Sequence, residues 1–99
     1  MVRSEGRVET PKASNHLMRL CKHFSRKISV QYDEHSGLAL FPWGSCRFKA
    51  EEGLLTFDCE SADEAGMKEL QQVLTIHVGM LSRRNPLPVH WAPAFASAQ

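Results

Sequence analysis

Three cysteines and one histidine occur where the sequence pattern turns them toward a protein interior. Cys46 and Cys59 each belong to an alternating apolar segment, and Cys21 and His77 lie on the apolar faces of two amphipathic segments. Thiolate and imidazole groups are accepted ligands of zinc and iron, so Cys21, Cys46, Cys59 and His77 form one candidate metal site. The sequence favours the alternative, in which the thiols pack as small apolar groups and His77 bonds to the backbone. We therefore expect no resident cofactor.

Pairs of cysteine and histidine are weaker candidates for a metal site or a catalytic site. Cys21 and His23 are two residues apart in a predicted helix, so they point about 200° away from each other and cannot hold one metal ion. Catalysis by Cys46 with His77 would need an accessible thiol in a positive environment, which an inward strand position does not supply. The sequence has no phosphate loop, dinucleotide fingerprint or HExxH motif. These features favour a non-enzymatic binding module, with a metal- or thiol-dependent site as the first alternative.

Four other residues indicate where such a module would make contact. Trp43 stands in a turn between Pro42 and Gly44, where a large ring is rarely fully buried. Phe41, Arg47 and Lys49 are expected on the outer face of the predicted sheet. Together with Trp43 they predict a surface for a protein partner or a small ligand. The sequence favours the alternative, in which the Trp43 ring folds back over the end of the sheet.

Charge is separated along the chain although the net charge is only +1. Residues 1–30 carry +5, residues 31–69 carry −6 and residues 70–99 carry +2. The first predicted helix has a basic outer face formed by Lys12, Arg19, Lys22, His23 and Arg26. Nucleic-acid binding is the second alternative, to which Arg7, Arg47 and Lys49 would add charge. A solvated basic face explains the pattern more simply, so nucleic acid is a disfavoured partner.

The apolar periodicity predicts an α+β domain with the order β-α-β-β-β-β-α. A strand over Glu5–Glu9 precedes a helix from Pro11 to about Lys27, and a second helix runs from a Ser61 to Glu64 capping box to about Arg84. Between them lies a meander of strands at Ile28–Tyr32, Leu38–Phe41, Cys46–Ala50 and Leu55–Cys59. This order suits an antiparallel sheet with both helices on one face, a two-layer sandwich like the TATA-binding-protein-like folds. Residues 1–91 form the predicted domain and residues 92–99 a frayed tail.

Strand register and cellular location follow from short segments. A tight turn at Glu52-Gly53 would place Cys46 opposite Cys59 and Phe48 opposite Phe57. The segment Leu38–Phe41 is apolar at every position, which predicts a dimer or ligand surface. The odd number of cysteines and the absence of any long apolar run favour a cytoplasmic protein with reduced thiols and no membrane association.

Two segments carry a family resemblance. They are the stretches Leu20-Cys21-Lys22-His23-Phe24 and Phe41-Pro42-Trp43-Gly44-Ser45-Cys46. Through them the chain resembles a bacterial family known as domain of unknown function 2218, over roughly residues 6–91. The resemblance implies a genomic association, in which similar domains are encoded near, or fused to, siderophore-interacting and iron-uptake proteins. An accessory role in iron uptake is therefore expected.

Overall fold

The structure is a computed structural model that describes residues 1–81, 87–93 and 95–96. Two helices and seven strands form within these residues, a β-α-β-β-β-β-α series followed by two short strands. The elements are β1 (Val2–Glu9), α1 (Ala13–Phe24), β2 (Ser29–Tyr32), β3 (Ser36–Phe41), β4 (Gly44–Glu51), β5 (Leu54–Ser61), α2 (Glu64–Met80), β6 (His90–Trp91) and β7 (Phe95–Ala96).

The strands form one antiparallel sheet. Their order is β2-β3-β4-β5-β1-β6, and β7 also pairs with β1. The predicted α+β class and meander are confirmed, while the two short C-terminal strands were not predicted. Within the described residues, neither helix is both long and apolar enough to cross a lipid bilayer.

The core lies between one face of the sheet and both helices. Strands β1 and β4 alternate buried and exposed positions, and β5 alternates buried and half-buried ones, because successive side chains point to opposite faces. The buried side chains join those of the two helices in a single cluster, so the prediction that both helices cover the same face is confirmed. The cluster includes Leu17 and Leu20 of α1, Leu70 and Leu74 of α2, and Phe48 and Phe57 of the sheet.

The β4–β5 hairpin has the register predicted from its turn. Cys46 lies opposite Cys59, Phe48 opposite Phe57, and Glu51 opposite Leu54. The positive φ of Gly53, 76°, supplies the left-handed turn conformation that glycine adopts without a steric cost. The register puts Phe48 and Phe57 in edge contact, with ring centroids 5.4 Å apart.

The helix boundaries differ from the predicted ones at three ends. The Thr10 hydroxyl accepts a hydrogen bond from the Lys12 N–H at 3.1 Å, but α1 begins at Ala13 and ends at Phe24. Asp63, not Ser61, caps α2 by accepting the Gly66 N–H at 2.8 Å, so the predicted capping box is wrong. The helix ends at Met80, and residues 82–84 of the predicted helix lie outside the described residues.

The chain after α2 returns to the free side of β1. Trp91 lies against Gly6, and its indole N–H donates to the Thr75 hydroxyl at 2.9 Å. The Ala92 N–H donates to the Glu5 carbonyl at 2.8 Å. Two residues of the expected frayed tail therefore pair as β7, because β1 offers them unpaired backbone groups. The domain boundary at residue 91 stays a prediction.

Candidate functional site

The turn between β3 and β4 presents a stacked aromatic pair. The Ser61 hydroxyl donates to the Trp43 carbonyl at 2.8 Å, which fixes this turn against the end of β5. The rings of Trp43 and Phe41 stack, with centroids 5.9 Å apart and planes inclined by only 18°. Phe41 in turn meets Phe24 edge-on at 5.2 Å. Trp43 nevertheless remains 40% exposed, so part of its side chain is accessible to a ligand.

The four predicted contact residues do not form one surface. Phe41 lies on the helix side of the sheet, as its contact with Phe24 shows, and the prediction that it lies on the outer face is wrong. Ala39 shares that side, whereas Leu40 is 51% exposed. The structure therefore keeps Phe41 with Trp43 and separates them from Arg47 and Lys49. Coverage of Leu40 by a second copy of the chain stays a prediction.

A cleft of about 400 Å³ opens beside the aromatic pair. It lies where the end of α1, the β3–β4 turn and the middle of α2 meet, and we call it the Trp43 cleft. Its described lining contains three groups that can carry positive charge and no carboxylate. The lining residues are His23, Phe24, Lys27, Ile28, Phe41, Pro42, Trp43, Val73 and His77.

Two histidines meet at one end of the Trp43 cleft. The ring centroids of His23 and His77 lie 4.9 Å apart, and those of His77 and Phe24 also lie 4.9 Å apart. Nδ1 of His77 lies 2.7 Å from the Val73 carbonyl oxygen. Desolvation lowers the pKa of His23, and the nearby His77, Arg26 and Lys27 lower it further.

The three thiols lie in the core, away from this pair. The Cys46 and Cys59 sulfurs are 3.6 Å apart, and all three cysteines are fully buried. Burial raises the pKa of Cys46 well above its usual value and that of Cys21 to about 12. A buried thiol that resists ionisation is a poor nucleophile, so the chemistry of Cys46 with His77 finds no support here.

The predicted four-ligand metal group is not assembled. Cys46 packs against Cys59, whereas His77 packs against His23 and Phe24. Within residues 1–81, 87–93 and 95–96, no three His, Cys, Asp or Glu side chains are grouped closely enough to hold a metal ion. The reason is that Cys46 lies inward on a central strand, while His77 lies at the edge of the interface between the helices.

The basic residues are divided between the two faces of the domain. The exposed cations of α1 lie on the helix side, and Arg7, Arg47 and Lys49 lie on the outer face of the sheet. There Arg7 pairs with Glu5 at 3.0 Å and Lys49 with Glu51 at 3.4 Å. The outer face therefore has mixed charge and does not extend the basic surface that nucleic-acid binding would need.

Comparison with known proteins identifies the family. The sequence model of the family DUF2218, which is described as an uncharacterized protein conserved in bacteria, matches residues 5–92. The chain belongs to this family. No curated protein matches the chain.

A solved structure of the same fold is also similar to this DUF2218 chain. The NMR structure of PA4090 from Pseudomonas aeruginosa superposes with a TM-score of 0.79 and is 28% identical in sequence. The similarity covers 94% of this chain and 97% of PA4090. The family and fold expected from the sequence are thus confirmed, while the association with iron uptake stays a prediction.

Two titratable members of the Trp43 cleft, His23 and Lys27, were not predicted as site residues of this DUF2218 protein. His23 was assigned to the solvated basic face of α1, and Lys27 received no role. Their positions in the cleft depend on how α1 packs beside α2, which the periodicity of one helix does not reveal. The pairing of His23 with His77 joins residues 54 positions apart.

Proposed function

We propose that this protein is a small binding module that takes a planar aromatic ligand carrying an acidic group in the Trp43 cleft. The observation that carries the proposal is the open stack of Trp43 on Phe41, with centroids 5.9 Å apart and planes inclined by 18°. A planar ring can extend such a stack and shield the indole from water. Aromatic contacts of this kind contribute about 0.5 to 1.5 kcal/mol beyond the apolar area that they bury.

The charge of the cleft supports an anionic ligand. Lys27 lies in the lining together with His23, whose ring can donate an N–H, and the described lining has no acid to repel a carboxylate. At an exposed site, an ion pair between the Lys27 ammonium and a ligand carboxylate contributes about 0.2 to 1 kcal/mol, and salt weakens it. Stacking therefore supplies affinity, while charge selects acids over neutral aromatic compounds.

A role accessory to siderophore and iron uptake is part of the same proposal. It rests on the family resemblance, and an aromatic acid that chelates iron combines the ring and the charge that the cleft would recognise. The proposal places the module in the cytoplasm, where reducing conditions keep buried thiols such as Cys46 and Cys59 reduced. A protein partner in the same pathway would receive the ligand from the module.

Calorimetric titration with dihydroxybenzoate tests the proposal. Cyclohexanecarboxylate is the matched acid without an aromatic ring, and benzyl alcohol is the matched ring without a charge. We expect dihydroxybenzoate to bind more tightly than either compound. Equal affinity for cyclohexanecarboxylate would show that stacking plays no part.

Variants then locate the binding site. Trp43→Ala should weaken binding about five- to tenfold, since about 1 to 1.4 kcal/mol of stacking is lost. Lys27→Gln should weaken it about threefold. Lys22→Gln is the matched control, because Lys22 is an exposed cation near the end of α1, five residues before Lys27 and outside the cleft lining. A Lys22 variant as weak as the Lys27 variant would contradict the site.

A further inference from the structure

The spacing of His23 and His77 suits a shared metal ion. A metal bound to imidazole nitrogens at about 2.1 Å lies about 3.2 Å from each ring centroid, so two ligands at about 90° to 109° set the centroids about 4.5 to 5.2 Å apart. The observed separation is 4.9 Å, with the ring planes inclined by 48°. The two rings come from different helices, so the packing of α1 beside α2 fixes this spacing.

The hydrogen bond of His77 prepares the ring for this role. Its Nδ1 lies 2.7 Å from the Val73 carbonyl oxygen. A carbonyl can only accept, so Nδ1 carries the proton and Nε2 of the neutral ring keeps its lone pair. Histidines that bind metals usually donate their other ring N–H to such an acceptor, which fixes the tautomer and the orientation of the ring.

We propose that His23 and His77 form a two-imidazole site for a divalent late transition-metal ion, with Ni²⁺ and Zn²⁺ as representatives. Imidazole nitrogen is a favourable ligand for both ions. The site shares His77 with the four-residue group considered from the sequence but includes none of its cysteines, and it goes beyond the binding of an aromatic acid. Because no third Cys, His, Asp or Glu joins the pair in the described part of the chain, water or an added ligand fills the other coordination positions.

Calorimetric titration of the full chain with Ni²⁺, and separately with Zn²⁺, tests the site. His23→Gln removes one ligand. His77→Asn removes Nε2 while its amide N–H can still donate to the Val73 carbonyl. Each change should weaken binding more than tenfold, since the loss of an outer-shell partner alone typically costs about 10- to 100-fold. His35→Gln is the control, because the His35 side chain is 77% exposed in the β2–β3 turn, away from the cleft.

Two outcomes would overturn the site. One is a double variant, H23Q/H77N, that binds both ions as tightly as the native chain. The other is a His35 variant that loses as much affinity as the His23 variant. His23 is exposed, so H23Q should fold and decides the question alone if H77N does not. Titration with dihydroxybenzoate in the presence of a chelator is read separately, so failure of the metal site and failure of the aromatic-acid site are distinguishable.

Discussion

A single methyl group added at Gly44 should destabilise the domain and disturb the Trp43 turn. Gly44 is the first residue of β4, follows Trp43 directly and pairs with Ser61 of β5. A Cβ atom at this position would overlap the Glu60 carbonyl oxygen and lie 3.1 Å from Cδ1 of Leu70. The obstacle is backbone within the sheet, so relief requires β4 and β5 to separate at this end.

The size of the effect follows from this geometry. Overpacking of a filled site costs about 1 to 3 kcal/mol, and the φ of +156° at Gly44 adds strain for a residue with a side chain. We expect Gly44→Ala to lower the free energy of unfolding by about 3 kcal/mol, a large part of the roughly 5 to 15 kcal/mol available to a domain. The movement should also weaken ligand binding at Trp43.

Two other glycines separate sterics from backbone conformation. Nothing lies within 4 Å of a Cβ atom built at Gly79 in α2, so Gly79→Ala should be neutral or stabilise the fold by about 0.5 kcal/mol. The space beside Gly53 is equally open, but its φ of 76° disfavours alanine by about 1 to 2 kcal/mol. Urea denaturation of the three variants measures these values. A Gly44→Ala variant within about 0.5 kcal/mol of the native chain would show that the Cβ atom at residue 44 is accommodated without separating β4 from β5.

Three further expectations concern stability and thiol reactivity. Asp63→Ala should cost about 1 kcal/mol in urea denaturation because it removes the α2 cap, and Glu64→Gln less than half as much; equal losses would contradict the cap assignment. Desolvation, and the nearby Arg19 and Lys12, lower the pKa of buried His16. The unfolded chain therefore binds the proton at this histidine more strongly than the folded chain does. The free energy of unfolding should accordingly fall as the pH drops below about 6.5. His16→Leu should flatten this dependence between pH 7.5 and 5.5, and an unchanged slope would show that His16 is not its cause. The three buried thiols should react with an aromatic disulfide reagent only at the rate of unfolding, so rapid labelling of the native chain would be inconsistent with their burial.

Local signals explain what could be predicted from the sequence. The register that joins Cys46 to Cys59 follows from a two-residue turn and strict alternation on both sides, so each residue is close in the chain to the features that position it. The inward face of α1 is likewise determined by apolar residues at helical spacing. Both predictions depend on periodicity, which a single burial face imposes.

Other features depend on contacts that periodicity does not encode. The segment around Phe41 is apolar at every position, so alternation cannot tell which side chain faces the helices. Ser61 matched a capping box, but its hydroxyl binds the Trp43 carbonyl of another element and Asp63 takes the cap. Strand β6 has only two residues, and its place beside β1 depends on the contact of Trp91 with Gly6.

An NMR titration of the ¹⁵N-labelled chain with dihydroxybenzoate is the sharpest test of ligand binding in the Trp43 cleft. The chain has two indole N–H groups, and that of Trp91 is held by Thr75 outside the lining of the Trp43 cleft. We expect the indole signal of Trp43 and the backbone signals of Lys27 and Val73 to shift together, while the indole signal of Trp91 stays in place. Shifts confined to Arg47 and Lys49 on the outer face, with the signals of the cleft unchanged, would contradict this expectation.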